Sequence, residues 1–277
     1  MDIKLVALDI DGTLLDSRGE LPDENVKAIQ EVLQQGVRII LVTGRRMGTA
    51  KRISVSLGLD FPLIVHNGAL IKVPHNSHRI RAQFIHPEIA LKILTETERY
   101  LEYVVLHCDK NVDGQQIVHP SCRNNALMQR YLGHFPDGVI ESCTLTNALD
   151  TDLIQLMFGG YLPIVQEIER FLVHSGLASH AKMTKTYYLE RELGIIDLLD
   201  AGCSKGTALK YLANQYGLLP EEILAIGDNY NDLEMLEFAG TGVVMENCVE
   251  DLKGKGFQET ASNNENGVAI ALRRFLV

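Results

Sequence analysis

The chain has 277 residues, of which 46% are hydrophobic and 22% are charged. This balance is typical of a folded globular protein, and the length suits one large domain or two ordinary ones. The formal net charge of −10 would repel phosphate backbones and anionic lipid, so we expect neither a nucleic-acid partner nor a membrane partner.

The longest apolar runs, such as residues 5–8 and 39–42, are far shorter than the ~20 residues of a membrane helix. Residues 1–4 carry no signal-peptide pattern, which predicts a cytoplasmic protein. The cysteines are odd in number, widely spaced and without a Cys-x-x-Cys pair: Cys108, Cys122, Cys143, Cys203 and Cys248. They are therefore expected to be reduced thiols, not disulfides or zinc ligands.

The first 70 residues alternate short apolar runs with helical patterns, which is typical of βα units around a parallel sheet. Residues 3–8 are predicted to form a buried strand that ends at Asp9, and a helix is predicted to begin at Pro22. A second strand over residues 37–42 is followed by a helix over 48–57. Residues 63–66 complete this series as a third strand.

The same alternation returns near the carboxyl terminus. Ser204 is predicted to cap a helix that runs to Gly217, and residues 223–226 then form a strand. A helix over residues 232–238, a short strand over 243–245 and a final helix over 268–275 follow. The predicted fold class is therefore α/β, with a doubly wound parallel sheet.

Between these stretches the pattern changes to mixed helices and strands, including a long helix from Pro87 to about residue 101 and a strand over 153–158. We therefore predict a core formed by residues 1–81 and 191–277, interrupted by an inserted α+β domain over residues 82–190. The polar residues 72–81 and the glycine-bearing residues 191–202 are predicted to be the hinges.

In open α/β sheets, ligands bind beyond the carboxyl ends of the strands. The side chains that follow the predicted core strands are mostly acidic, amide or hydroxyl groups: Asp9, Asp11, Thr13, Thr43, Asn67, Asp228, Asn231 and Asp232. Lys205 adds a positive charge at the start of a helix. These groups are expected to converge on one crevice.

Crowded carboxylates repel one another unless a cation lies among them. A set of oxygen ligands without Cys or His favours Mg²⁺, which binds through one or two carboxylates together with substrate phosphate. A threonine hydroxyl, the N–H groups of a glycine-containing turn and a lysine would hold the remaining phosphate oxygens. The sequence thus predicts a magnesium-assisted phosphate site.

These motifs and their order resemble those of the haloacid dehalogenase superfamily, in particular its Cof-type, sugar-phosphatase-like branch with a large inserted cap. The four matching segments are residues 9–13 (DIDGT), residues 43–45 (TGR), Lys205, and residues 227–232 (GDNYND). Residues 67–68 (NG) and 263–269 (NNENGVA) also match patterns of that branch. The resemblance covers the whole predicted core, about residues 1–81 and 191–277.

The resemblance implies a role for each of these residues. Asp9 would be the nucleophile that forms an aspartyl-phosphate, and Asp11 would protonate the leaving alcohol and then activate water. Mg²⁺ would be held by Asp9, by Asp228 and by the main-chain oxygen of Asp11. Asp232 would be a further ligand or a support. The phosphate would be bound by Thr43, Gly44, Lys205, Asn231 and the backbone N–H of Ile10.

Two alternatives use similar residues. A phosphomutase or another phosphoryl transferase could be built on the same core. A receiver-like signalling module also combines an acidic cluster with Thr or Ser and Lys, but it is about 120 residues long and its acceptor aspartate is on a middle strand.

The expected substrate is a small phosphorylated metabolite, a sugar phosphate or a similar monoester, because the core motifs specify only the phosphoryl group. Specificity is expected to reside in the inserted domain. Its polar candidates for contact with the leaving group are His107, Asp109, Arg123 and Tyr187. The sequence leaves the oligomeric state open.

Overall fold

The computed structural model describes residues 2–109, 115–133, 138–149, 152–188 and 192–277. The chain divides into two compact units. The first unit comprises Met1–Arg81 and Ser204–Val277, and the second unit comprises Ala82–Cys203.

The helices and strands follow one another in chain order. The amino-terminal part holds β1 (Leu5–Leu8), α1 (Asp23–Gln34), β2 (Arg38–Leu41), α2 (Met47–Ser56), β3 (Leu63–Val65), β4 (Leu70–Lys72) and β5 (Arg79–Ala82). The second unit continues with α3 (Pro87–Glu96), β6 (Val104–Cys108), β7 (Gln115–Val118), α4 (Ala126–Gly133), β8 (Val139–Glu141), β9 (Leu153–Tyr161), α5 (Leu162–His174), β10 (Lys182–Tyr188) and β11 (Leu193–Leu199). The carboxyl-terminal part holds α6 (Lys205–Gln215), β12 (Ile223–Gly227), α7 (Leu233–Phe238), β13 (Thr241–Met245), β14 (Gln258–Thr260) and α8 (Gly267–Leu276).

The first unit is built on a five-stranded parallel sheet with the strand order β14-β13-β12-β1-β2. All four residues of β1 are buried, as expected for a central strand whose two faces are both covered. The sheet extends from β1 in both directions, and right-handed crossovers then place helices on both of its faces. The predicted α/β class with a doubly wound parallel sheet is confirmed.

The third predicted strand does not pair within that sheet as a full strand. β3 pairs with β4 in an antiparallel arrangement, and β5 completes a separate three-stranded sheet. A single parallel bridge between Val42 and Ile64 joins β3 to the edge of the main sheet. The segment 72–81, predicted to be a hinge, contains the last residue of β4 and most of β5, and its action as a hinge stays a prediction.

The second unit is an α+β structure with its own hydrophobic core. Its six-stranded sheet has the order β10-β11-β9-β6-β7-β8, in which all pairs are antiparallel except β7 with β8. Leu106, Leu156, Phe158 and Ile196 on one face pack with the buried side of α5, including Ile168.

The second boundary of the insertion lies later than the sequence predicted. Residues 192–203, which were assigned to the core, belong to the second unit. The physical reason is that β11 pairs with β9 on one side and with β10 on the other. A Cβ atom at Gly194 would lie 2.8 Å from Val165, so β11 also packs closely against α5.

Local signals explain where the helices near the strand ends begin and end. Ser204 caps α6 in a capping box, in which its side chain accepts the N–H of Thr207 and the Thr207 hydroxyl accepts the N–H of Ser204. Gly36 follows α1 with a φ of 81°, a conformation that glycine adopts readily. Within the described ranges, no helix combines the length and the apolar character that a membrane span requires.

Candidate active site

The candidate site begins at the carboxyl end of β1, where Asp9 follows four buried apolar residues. The ammonium of Lys205, the first residue of α6, donates to Asp9 Oδ1 and to Asp232 Oδ1, both at 2.6 Å. All three side chains are buried, and that of Lys205 is only 1% exposed. One buried cation therefore holds two buried carboxylates that come from distant parts of the chain.

Asp228 follows β12, which lies beside β1 in the sheet. Its Oδ1 accepts the hydroxyl of Thr13 at 2.7 Å. Asp232 fixes the backbone of the same loop, because its Oδ2 accepts the N–H groups of Asp228 and Asn229, both at 3.0 Å. Asp232 thus has hydrogen bonds to both carboxylate oxygens, while Asp228 is held by one of its two oxygens.

The three carboxylates form a group that suits a divalent cation. One oxygen from each of Asp9, Asp228 and Asp232 can be chosen so that all three lie within 4.8 Å of one another. Three carboxylates and one Lys205 ammonium leave two negative charges when all four groups are ionised. Hard oxygen donors with this charge match Mg²⁺ better than a softer metal.

The pKa values report the same crowding. Burial, together with repulsion from Asp232, raises the pKa of Asp9 to about 7. Burial and repulsion from Asp9 and Asp232 also raise the pKa of Asp228 well above its usual range. Burial lowers the pKa of Lys205, but attraction by Asp232 and Asp9 outweighs this effect and raises it above the usual value. A cation among the carboxylates would favour their ionised forms.

Asp11 is outside this buried group. Its side chain is 44% exposed, and the guanidinium of Arg45 donates to both of its oxygens, at 2.7 and 2.6 Å. The side chain of Asp11 is therefore oriented by Arg45 and is not gathered with the other three aspartates. Only its main-chain oxygen was assigned to the metal, and that assignment stays a prediction.

Of the predicted phosphate-binding residues, Ile10 follows β1, Thr43 and Gly44 follow β2, Asn231 follows β12, and Lys205 begins α6. Thr43 accepts the N–H of Arg45 through its hydroxyl at 3.0 Å. Asn231 donates to Asn67 Oδ1 at 2.8 Å, and a Cβ atom on Gly44 would lie 3.0 Å from that same oxygen. Gly44, Asn67 and Asn231 are therefore adjacent, although 164 residues separate the two asparagines.

Three further residues were not assigned by the sequence. Arg45 contacts Asp11, Asn67 contacts Asn231, and Asn247 donates to the main-chain oxygen of Gly12 at 2.8 Å. Arg45 and Asn67 were visible in the strand-end motifs but carried no separate role. No local pattern marks Asn247, because its contact joins positions 235 residues apart.

The turn after β1 requires a glycine. Gly12 has a φ of 82°, and a Cβ atom at this position would lie 2.4 Å from Asp228 Oδ2. Ile10, two residues before Gly12, has a fully buried side chain, so it can present only backbone groups to a ligand. The turn after β1 and the loop after β12 are therefore adjacent, and the Thr13 hydroxyl joins them through its hydrogen bond to Asp228.

We expect Gly12→Ala to lower both the stability and the activity. The left-handed backbone costs a residue with a Cβ about 1–2 kcal/mol, and displacement of Asp228 adds to this loss. Gly19→Ala is the matched control, because Gly19 has a φ of 79° but nothing lies within 4 Å of its Cβ position. Urea unfolding and phosphate release would be measured for both variants. Equal activity of the two variants would contradict the role given to this turn.

The polar candidates in the second unit have other partners. His107 is buried and lies edge-on to Tyr131, Arg123 pairs with Glu141, and the hydroxyl of Tyr187 donates to Glu169. These contacts are internal to the second unit. Their predicted role toward a leaving group is not tested by them.

The sequence is similar to a known family of hydrolases and to individual bacterial proteins. The model of a family described as haloacid dehalogenase-like hydrolase matches residues 6–272. The stress response protein YhaX of Bacillus subtilis (strain 168) is 30% identical, over 99% of this chain and 94% of that protein. The phosphatase YwtE of the same strain, named for 5-amino-6-(5-phospho-D-ribitylamino)uracil, is also 30% identical, over 99% of this chain and 98% of that protein.

A solved structure supports the same assignment. A haloacid dehalogenase-like hydrolase from B. subtilis superposes with a TM-score of 0.80 at 26% identity, covering 99% of this chain and all of that one. The chain belongs to the haloacid dehalogenase-like hydrolase family. The predicted resemblance is confirmed, as is the prediction of a hydrolase of the phosphatase class.

Proposed function

We propose that this protein is a Mg²⁺-dependent phosphatase that hydrolyses a small phosphate monoester through an aspartyl-phosphate on Asp9. The observation that carries this proposal is the buried group of Asp9, Asp228, Asp232 and Lys205 at the ends of β1, β12 and α6. Such a group can present a fixed carboxylate to phosphorus while a cation and an ammonium offset the charge of the phosphate.

The substrate phosphate would be bound before any bond changes. We assign this binding to the backbone N–H of Ile10, the Thr43 hydroxyl, the backbone at Gly44, the Asn231 amide and the Lys205 ammonium. Asn231 and Gly44 are both adjacent to Asn67, which supports their action as one binding group. Their N–H and O–H groups suit the equatorial oxygens of a phosphoryl group in transfer.

In the first step, Asp9 attacks phosphorus and the bond to the leaving oxygen breaks. Lys205 holds Oδ1 of Asp9 at 2.6 Å and thereby orients the carboxylate for this attack. Asp11 donates a proton to the departing oxygen, so that a neutral alcohol leaves. The products of this step are the alcohol, the phosphorylated Asp9 and an ionised Asp11.

In the second step, Asp11 accepts a proton from water as that water attacks the phosphorus on Asp9. The bond from phosphorus to Asp9 breaks, inorganic phosphate leaves, and both aspartates return to their starting forms. Asp11 therefore acts first as an acid and then as a base.

We place Mg²⁺ with Asp9, Asp228 and the main-chain oxygen of Asp11, where it would supply positive charge to the phosphate oxygens. Asp232 was predicted as a further ligand or as a support, and we propose the supporting role. Its two oxygens accept from Lys205 and from the N–H groups of Asp228 and Asn229, so it fixes the groups around the metal.

The metal dependence gives the test of this proposal. We expect EDTA to abolish phosphate release from 4-nitrophenyl phosphate and Mg²⁺ to restore it. Mg²⁺ at 100 times its Kd should also raise the free energy of unfolding by about 2.7 kcal/mol, because it binds only the folded chain. Full turnover in excess chelator would contradict the proposal.

Two variants sharpen this measurement. Asp228→Asn removes a proposed ligand and should lose most of the stabilisation by Mg²⁺. Asp251→Asn changes an exposed aspartate of the first unit and should keep all of it. Equal stabilisation of both variants would remove Asp228 from the metal site.

The second unit is proposed to select the substrate, and we place its boundaries at Ala82 and Cys203. The substrate class is a small phosphorylated metabolite, such as a sugar phosphate. A screen of the purified chain against phosphate monoesters with Mg²⁺ would identify it. The screen should contain hexose phosphates, nucleotides, pyridoxal phosphate and the compound in the name of YwtE.

A further inference from the structure

Arg45 makes a two-point contact with Asp11. Its Nε donates to Asp11 Oδ2 at 2.7 Å, and its Nη2 donates to Oδ1 at 2.6 Å. This fork fixes the plane of the carboxylate as well as its position, which a single hydrogen bond does not do. Asp11 needs such a constraint because its side chain is 44% exposed, whereas Asp9 is held by burial.

The backbone of Arg45 is itself anchored. Its N–H donates to the Thr43 hydroxyl at 3.0 Å, and its main-chain oxygen accepts the N–H of His66 at 3.0 Å. The guanidinium therefore projects from a residue that is tied to the ends of β2 and β3. The position of Asp11 is therefore fixed, through Arg45, relative to the ends of β2 and β3.

We propose that Arg45 is a positioning residue that aligns Asp11 for proton transfer to the leaving oxygen. This inference rests on the proposed function, in which Asp11 is the acid and then the base. In each step one oxygen of Asp11 carries or accepts the proton, while the guanidinium keeps its hydrogen bond to the other oxygen. Arg45 gains and loses no proton, and the bonds to phosphorus change as already described.

The consequence is a dependence on the leaving group. An alkyl phosphate releases a strongly basic alkoxide and needs a proton as its bond to phosphorus breaks. An aryl phosphate such as 4-nitrophenyl phosphate releases a weakly basic phenolate and needs little help. A misaligned Asp11 therefore slows the first substrate much more than the second, whereas a loss of phosphate binding slows both equally.

The experiment measures kcat and KM for glucose 6-phosphate and 4-nitrophenyl phosphate in the full chain with Mg²⁺. Arg45→Ala should lower kcat for the alkyl substrate by about 10²–10⁴, the usual contribution of general acid–base catalysis, and change kcat for the aryl substrate little. Free guanidinium should restore part of the alkyl activity. In an Asp11→Asn background, Arg45→Ala should add no further loss.

The matched control is Arg273→Ala. Arg273 forms a similar two-point contact with Glu31, at 3.1 Å for both bonds, and is 40% exposed on α8. This variant should leave the ratio of the two activities unchanged. If Arg45→Ala fails to fold, Arg45→Lys is measured instead, because lysine keeps the charge but cannot contact both oxygens in the same fork.

Two results would overturn the inference. A raised KM with equal losses for both substrates would make Arg45 a phosphate ligand, and full additivity with Asp11→Asn would show that the two residues act separately. Failure of the proposed function is distinguishable from either result. In that case the unmodified chain with Mg²⁺ releases phosphate from neither substrate.

Discussion

Asp9→Asn should abolish phosphate release while the fold is retained. The amide has nearly the shape of the carboxylate, and its oxygen can still accept from Lys205, which lies 2.6 Å from Oδ1. It cannot attack phosphorus to form an ester, and it removes one negative charge from the proposed metal site. We expect kcat to fall by about 10⁴ or more, as happens when a catalytic group loses its central member.

The stability of this variant separates chemistry from unfolding. Burial and repulsion from Asp232 raise the pKa of Asp9 to about 7, so ionisation of this carboxyl group costs more free energy in the folded chain than in the unfolded chain. A neutral amide avoids that cost, and urea unfolding should show little loss of stability.

The test of the covalent step is mass spectrometry after an acid quench. A phosphoryl group should be found on the peptide that contains Asp9 and not on the corresponding peptide of the variant.

Retention of wild-type kcat in a folded Asp9→Asn chain would exclude the covalent mechanism. Trapping of the phosphoryl group on Asp11 would exclude Asp9 as the nucleophile and leave the rest of the site in place. Asp60→Asn is a suitable control, since Asp60 is exposed and its side chain contacts the ring of His75, away from the proposed site residues.

The approach of Asp9, Asp228, Asp232 and Lys205 to one another could be predicted from the sequence because it depends on a local rule. The strands β1 and β12 are short apolar runs that end directly at a polar motif, and in β2 three apolar residues and then Val42 precede Thr43. Parallel strands bring their carboxyl ends to one edge, so residues that follow them approach one another whatever the loops between them do. Asp9 and Asp232 therefore meet at Lys205 although about 220 positions separate them.

The pairing of strands depends on contacts that no local pattern specifies. Residues 63–66 were predicted to be the third strand of the series, yet β3 pairs with β4 because the chain reverses at His66 and Asn67, which have φ values of 50° and 52°. The strand β11 was mistaken for a linker. Its place is set by β9 and β10, and nothing in residues 193–199 alone distinguishes a strand of the insertion from one of the core.

The direction of side chains was also beyond the sequence. The motif of residues 43–45 predicted a threonine and a glycine at the phosphate, but the fork between Arg45 and Asp11 depends on the angle at which β1 and β2 end. The buried contact of Lys205 with Asp232 likewise depends on the close packing of α6 on α7, which begins directly after Asp232. A Cβ atom at Gly206 would lie 2.5 Å from the main-chain oxygen of Glu234, which shows how near these segments lie.

Lys205→Met should destabilise the folded chain severely. The methionine preserves most of the buried length but removes the ammonium that donates to Asp9 and Asp232 at 2.6 Å. Three buried carboxylates then remain near one another without their cation, and breaking a buried ion pair in this way costs about 3–5 kcal/mol. Urea unfolding without Mg²⁺ measures this loss directly. The activity should fall as well, since Asp9 is no longer oriented.

The control for this prediction is another lysine that pairs with carboxylate. Lys27 contacts Glu24 at 2.7 Å on the exposed surface of α1, where its side chain is 63% exposed. Exposed pairs contribute only about 0–1 kcal/mol, so Lys27→Met should change the free energy of unfolding little. A loss in Lys205→Met no larger than in Lys27→Met would contradict the assignment of Lys205 as the internal counter-ion.

A second variant shows whether the lost stability comes from the unpaired carboxylates. In Lys205→Met combined with Asp232→Asn, one of the two abandoned charges is removed, and the double variant should be more stable than Lys205→Met alone. On the wild-type background the same Asp232→Asn change should be destabilising, because Lys205 then loses a charged partner and the N–H groups of Asp228 and Asn229 lose a carboxylate acceptor. This reversal of sign requires direct coupling between the two residues. Additive losses would instead indicate that Lys205 stabilises the unit through the packing of its side chain and not through its charge.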